Sequence, residues 1–259
     1  MVMKTVELLA PAKNLETAIA AINSGADAIY IGASNFGARK NAPNPLEDIE
    51  KLVNYAHLFN VRIHVVINTI LNNEELNKAI NLVENLYNIG VDAIIVQDMG
   101  LLKAAIDGKL PPIEIHASTQ CNTRTLEKAK FFDSLGVSRV ILARELSVDK
   151  IAEICQNTNC EIETFIHGAL CVSYSGQCYL SFANGGRSAN RGECAQPCRK
   201  KYSLVDESGK FIQKDKYLLS LKDFNASESI EKLINCGVNS FKIEGRLKDI
   251  SYVRNVTAY

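Results

Sequence analysis

The sequence has no excess charge of either sign: 29 Lys and Arg balance 29 Asp and Glu. No global field therefore draws the chain to DNA or to a membrane surface. No apolar run approaches the ~18 residues of a membrane span. The opening, Met1 to Lys13, lacks a signal-peptide hydrophobic region with a small-residue cleavage site, so the expected compartment is the cytoplasm. No GxGxxG follows a strand pattern, and HExxH, GxSxG and an Asp-Thr/Ser-Gly pair are missing too. The usual sequence signs of a dinucleotide site and of the common peptidase classes are therefore wanting. Nor is there a C-x2-C knuckle, the usual mark of structural zinc.

What remains is a chain of 259 residues, 47% hydrophobic and 22% charged, with eight cysteines. That composition belongs to a globular protein rather than a disordered or collagen-like one. In the cytoplasm, eight cysteines read as thiols or metal ligands rather than disulfides.

Short β-branched runs alternate with helix-patterned segments. Strands are expected at Val6–Ala10, Ala28–Gly32, Arg62–Asn68, Ala93–Gln97, Ile113–Ser118, Arg139–Ala143, Ile162–His167 and Ser240–Glu244. The phrases SGADAIYIG, IGVDAIIVQD, LGVSRVILAR and CGVNSFKIEG share one grammar: helix end, glycine, strand. Eight such β-α units predict a TIM-type (β/α)8 barrel over residues 1–259, with a doubly wound open sheet as the alternative. About seventy residues, 168–239, separate the last two strands and break the rhythm. They read as a cysteine-rich insertion on the C-terminal face of the barrel, where active sites of this fold are built. Inside it, KYSLVDESGKFIQ reads as a hairpin turned at Glu207–Gly209. Charge is uneven: residues 1–186 hold 15 basic and 20 acidic side chains, residues 187–259 hold 14 and 9. The insertion side is where a polyanion would bind.

Four thiols follow the seventh strand: Cys171, Cys178, Cys194 and Cys198, with six, fifteen and three residues between them. Soft thiolates in this number suit an iron–sulfur cluster or zinc, with unligated thiols as the third reading. The wide spacing favours the larger cluster, around which Gly168, Gly176 and Gly192 would let the backbone approach closely.

The run ETFIHGALCVSYSGQCYLS resembles the signature of the collagenase-like peptidase family U32. NRGECAQPCR, ELLAPA, GADAIYIG, HASTQ and FKIEGR are similar to further blocks of that family, and together they cover essentially the whole chain. Some members were named as proteases. Others hydroxylate tRNA wobble uridine, a ribosomal RNA cytidine or ubiquinone precursors without molecular oxygen, and carry a 4Fe–4S cluster. The resemblance implies such a cluster here, RNA as partner (most directly tRNA), and a small carboxylate oxygen donor such as prephenate. It also implies that a paired family member is a possible partner. Cys171, Cys178 and Cys194 match three cluster positions. Many members place the fourth in a block that aligns with Ser220 to Asn225, where this sequence has Asn225. Other members use the position of Cys198, which is the choice here, with Cys236 and Cys121 in reserve. Cys155 and Cys160 fall at the opposite end of the barrel and are expected to be structural. Members commonly continue past the KIEGR block, and that C-terminal region is expected to be absent here.

Side chains alternate along a strand. One face of the seventh strand carries Glu163, Phe165 and His167, and one face of the eighth Lys242, Glu244 and Arg246. Arg62, His64, Glu114 and His116 occupy the matching faces of the third and fifth. These groups are expected in the lumen, with Glu163, Lys242 and Glu244 in one charge network, because an isolated buried charge costs several kcal/mol. The deep members read as a structural stack. Strand-end groups are the functional candidates: Asn68, Asp98, Ser118, Gln120, Arg144, Glu145, His167 and Arg246. Of these, His167, Arg144, Arg246 and Glu145 are the catalytic choices. His167 would move protons near the cluster, and Arg144 and Arg246 would grip carboxylate or phosphate. Arg187, Arg191, Arg199, Lys200 and Lys201 are the candidate RNA-backbone contacts. Tyr174 and Tyr179 either stack an unpaired base or pack in the core. Peptidase chemistry by Cys171 and His167, and a non-catalytic role as assembly or electron-transfer partner, are the competing functions.

Overall fold

Each helix-end–glycine–strand phrase folds as one β-α unit, and the units close on themselves. The computed structural model describes residues 6–38, 44–245 and 247–259. In chain order the barrel comprises β1 (Glu7–Ala12), α1 (Leu15–Ile22), β2 (Ala28–Gly32), α2 (Leu46–His57), β3 (Arg62–Ile67), α3 (Asn73–Asn88), β4 (Ala93–Val96) and α4 (Met99–Ile106). It continues with β5 (Glu114–Ala117), α5 (Leu126–Ser134), β6 (Arg139–Ile141), α6 (Val148–Gln156) and β7 (Glu161–Gly168). The segment after β7 holds α7 (Leu180–Gly185), the hairpin β8 (Tyr202–Val205) and β9 (Phe211–Lys216), and the short β10 (Phe224–Asn225). The last unit is α8 (Ile230–Cys236), β11 (Ser240–Glu244) and α9 (Ile250–Ala258). Strands β1 to β7 pair in order and in parallel, β7 pairs with β11, and β11 returns to β1. The closure removes the open-sheet alternative.

Local chemistry starts the helices where the sequence asks. Asn14 and Ser147 accept from the backbone N–H of Thr17 and Lys150, and Asn72 with Glu75 forms a reciprocal capping box on α3. The outer faces of the strands, with Ile29, Ile63, Ile94 and Val140 among them, bury completely against the helices. Each such aliphatic side chain contributes roughly 1.5–3 kcal/mol.

The strand registers sort the lumen into tiers. At the bottom lie Glu7, Arg62, Glu114 and Glu161, then Ala28, Ala93, Arg139 and Ser240, then Leu9, His64, His116 and Glu163. Above them come Tyr30, Ile95, Ile141 and Lys242, with Phe165 and Val66 near the mouth. β7 and β11 slip register between Lys242 and Ile243, so Ile166 has no partner residue and His167 aligns with Ile243. This bulge turns the end of β7 by one residue.

Candidate functional site

The lumen is a layered ion network centred on Arg139. Its guanidinium donates to Glu7, to Glu161 at 2.6 Å and to Glu163 at 3.1 Å, and Lys242 Nζ donates to Glu163 at 2.8 Å. Burial pushes the Glu163 carboxyl up, but Lys242, Arg139 and His116 outweigh it and hold it below its ordinary range. Burial likewise works against the Arg139 charge, and the Glu163, Glu7 and Glu161 carboxylates more than restore it. Lower down, Arg62 grips Glu114 at 2.7 Å. His64 and His116 meet edge to face at 4.8 Å, fully buried, and burial drives both toward the neutral ring. Of the expected network of Glu163, Lys242 and Glu244, the first two pair directly, and Glu244 pairs with Arg144 at 2.8 Å at the top of the barrel. Sequence reasoning passed over Arg139 and Glu7, the two groups that tie this stack together.

The chain after β7 lies across the C-terminal mouth, anchored to several strand ends. Gly168 has φ +114° and Gly176 φ +74°; a Cβ at either would fall about 2 Å from a backbone oxygen, of Glu244 and of Gln120 respectively. Only glycine fits these places, and what presses on them is the barrel rim rather than a cofactor. Ser175 donates its N–H and its hydroxyl to the two oxygens of Glu145, at 3.1 and 3.0 Å. The N–H of Ile70 donates to Asn190, and Arg191 donates to Ile70 O and to both oxygens of Glu75. Arg199 donates to Ser220, Leu221 and Leu170, each at 2.7 Å.

These anchors gather the cysteines. Cys171, Cys194 and Cys198 border a cavity of roughly 370 Å³ together with Arg144, Glu244 and Lys248. Cys178 feels the neighbouring thiols of Cys171 and Cys194, and Ser181 Oγ lies 3.9 Å from Cys194 Sγ. Burial first, then the neighbouring thiols, pushes Cys178 and Cys198 up. The four are thus electrostatic neighbours. Among the described residues no three His, Cys, Asp or Glu side chains converge tightly enough for a single ion. Four thiols gathered around one cavity are the donor chemistry of an iron–sulfur cluster or of zinc. The reserve thiols are placed elsewhere: Cys121 is buried against Val96 O and Gln97 O and pushed up to about 12, and Cys236 ends α8. Cys155 and Cys160 pack with the helix-side core at the far end.

The catalytic candidates separate. Arg144 borders the thiol cavity and also the small polar pocket at the mouth of the lumen, beside Lys242, Tyr30 and Ser118. Its guanidinium lies 4.2 Å from the Phe165 ring centre, and among the described residues only Nη2 has an acceptor, Glu244. Glu145 is occupied by Ser175 and acts as an anchor. His167 is corrected: the bulge turns it from the lumen face to the helix face, where Nδ1 meets Tyr252 Oη at 2.8 Å. Arg246 lies outside the described residues. Asp98 caps α4 and accepts from Leu71 N, and Asn68 links Ala38 N to Ser118. Of the basic run, Arg191 and Arg199 hold the insertion in place, and Arg187 Nε donates to Glu193 O. Lys200 and Lys201 are exposed. Tyr174 and Tyr179 are exposed rather than core, at 58% and 62%.

The family model described as "Peptidase family U32" matches residues 13–259. The chain is 55% identical, over 98% of its length, to the Escherichia coli "23S rRNA 5-hydroxycytidine C2501 synthase", and spans 38% of that protein. It is 38% identical over its whole length to the Bacillus subtilis "tRNA hydroxylation protein P1" and 33% identical to a Porphyromonas gingivalis "Collagenase", spanning 63% of each. Among solved structures, a U32 peptidase superposes with a TM-score of 0.58 at 14% identity, covering 93% of this chain and 92% of that one. Phosphoribosylanthranilate isomerase of Thermotoga maritima gives 0.51 at 12%, covering 98% of each chain. The signature around the four cysteines and this near-complete match agree: the chain belongs to peptidase family U32.

Proposed function

We propose that this chain is the barrel part of an iron–sulfur enzyme that hydroxylates a pyrimidine in RNA. The observation that carries the reading is the 55% identity, across nearly the whole chain, to a ribosomal RNA 5-hydroxycytidine synthase. The lower identity to the tRNA hydroxylation protein favours a ribosomal cytidine over the tRNA uridine. The activity belongs to the longer proteins of which this chain matches only part.

Cys171, Cys178, Cys194 and Cys198 would hold a 4Fe–4S cluster in the cavity over the barrel mouth. When bound, such a four-cysteine group would supply one-electron chemistry. The residues of the chain orient the reactants. Arg144, held by Glu244 and stacked on Phe165, presents guanidinium N–H groups to the carboxylate of a small donor such as prephenate. Lys200 and Lys201 face an RNA backbone. A cytoplasmic location fits an RNA substrate. Among the described residues no helix is long and apolar enough to cross a membrane. A second family member as partner fits the same reading. The peptidase reading draws support from the relative named collagenase. It has less support in the geometry, where His167 is hydrogen-bonded to Tyr252 rather than to Cys171.

The test is nucleoside mass spectrometry of ribosomal and transfer RNA from cells lacking the gene. Loss of a 5-hydroxypyrimidine, restored by the wild-type gene and not by Cys171→Ser, is expected. An unchanged profile in both RNA fractions overturns the reading.

A further inference from the structure

A second cavity, of roughly 580 Å³, opens beside the thiols and shares Arg144, Leu170 and Cys171 with the first. Its composition is unlike that of the thiol cavity. Tyr174, Leu221 and Phe224 are among the residues that line it. Tyr174 is more than half exposed, yet it is not loose. The Arg124 guanidinium lies 4.0 Å from its ring centre, and the following residue, Ser175, is fastened to Glu145. One face of an exposed aromatic ring is thus covered by a cation, and the loop that carries it is pinned to the loop between β6 and α6. At the cavity's edge stands Arg144, a guanidinium whose Nη2 alone has an acceptor among the described residues.

We propose that this cavity is the seat of the unpaired pyrimidine base, inserted between Tyr174 and the apolar wall of Leu221 and Phe224, with Arg144 donating to a ring carbonyl. Flat aromatic and apolar walls with a few convergent donors are how proteins hold a base withdrawn from its neighbours. The volume admits the base with its ribose. The Arg124 cation on Tyr174 fixes the stacking surface in advance and sets a positive charge at the rim, where the phosphates of a nucleotide must run. Cys171 lies in the wall common to both cavities, so a base seated here abuts the thiol group. The inference rests on the RNA reading above and adds where the base binds.

The experiment uses the holoprotein and a nine-nucleotide RNA of adenosines with one central 4-thiouridine, the only photoreactive base. Stacking of one base contributes about 1–3 kcal/mol, so Tyr174→Ala should weaken binding about 5- to 150-fold while Tyr174→Phe stays near wild type. Photocrosslinks should map to residues 170–175 or 221–224. Iron content and thermal unfolding of the variants check that the fold is intact, and Arg124→Gln, which loosens Tyr174 without removing it, should weaken binding by a smaller factor. Tight RNA binding with Tyr174→Ala equal to wild type, or crosslinks confined to other surfaces, overturns the base seat alone. Failure of the wild-type protein to bind any RNA overturns the seat together with the RNA reading.

Discussion

Replacing Arg139 with methionine removes the cation that touches three lumen carboxylates at once. Its side chain is 2% exposed and that of Glu163 0%. The substitution keeps much of the volume but leaves Glu163 with Lys242 and the Ser240 hydroxyl, and takes the buried guanidinium away from Glu7 and Glu161. Breaking a buried ion group in this one-sided way costs about 3–5 kcal/mol. For a chain of this size that lowers the melting temperature by roughly 6–20 °C. Arg139→Lys keeps the charge and loses the fork, so its cost should fall in between. Acid separates this mechanism from a simple packing defect. In the wild type the Glu163 carboxyl lies below its ordinary range of about 4.5, so its ionised form stabilises the fold throughout about pH 7.5 to 5 and that contribution is lost only in stronger acid. Without Arg139 the buried Glu163 is pushed toward the neutral acid, so lowering the pH toward about 5 relieves the variant while the wild-type Glu163 stays ionised. The gap between the two should therefore narrow from about pH 7.5 to about pH 5. Thermal unfolding of both proteins across that range is the assay. A loss below about 1 kcal/mol at neutral pH, or a gap that widens in acid, would refute the reasoning.

Other consequences follow from the same contacts. Gly176→Ala drives a Cβ into Gln120 O and should lower iron retention severalfold with a smaller change in barrel unfolding, measured by iron content beside circular dichroism; full retention would contradict the close approach. His64 is held well below its ordinary 6.5 by burial, His116 and the nearby cations, so only the unfolded state takes up its proton. Stability should drop below pH 6.5, by at most about 2 kcal/mol at pH 5, and His64→Phe should flatten that slope in urea titrations. Arg191→Ala frees the insertion from Glu75 and Ile70; limited proteolysis within residues 170–220 should speed up severalfold while the melting temperature moves little, since the ion pair is largely exposed.

Much of the barrel is legible in the sequence because each unit announces itself. Ala28–Gly32 and Ser240–Glu244 are strands of the expected span, since a helix-ending glycine precedes each β-branched run. Elements without such punctuation are missed. Helix α7, LSFANG, is too short for a period to show, and β10 is two residues whose partner is β7, far away in sequence. Arg139 opens a strand just after a helix end, where an arginine reads as surface; only closure of the barrel turns it inward. His167 fails for a subtler reason. Alternation assigns it to the lumen, and the single extra residue of the bulge reverses it. The thiol loop is legible as a set through its spacing, but its neighbours are not. Arg191 and Arg199 look like phosphate ligands in sequence and act as braces in space, while Tyr174 gains its meaning only from Arg124 beneath it.

The central claim is that four sulfurs of one loop share a single iron–sulfur cluster at the barrel mouth. Anaerobic purification with iron and acid-labile sulfide analysis tests it most directly, on the wild type and on serine variants of each cysteine. The account predicts a brown protein with about four irons and four sulfides per chain. The colour should be lost on substitution of Cys171, Cys178, Cys194 or Cys198 and kept on substitution of Cys155 or Cys160. A colourless protein with stoichiometric zinc, or full iron retained without Cys198, would contradict it.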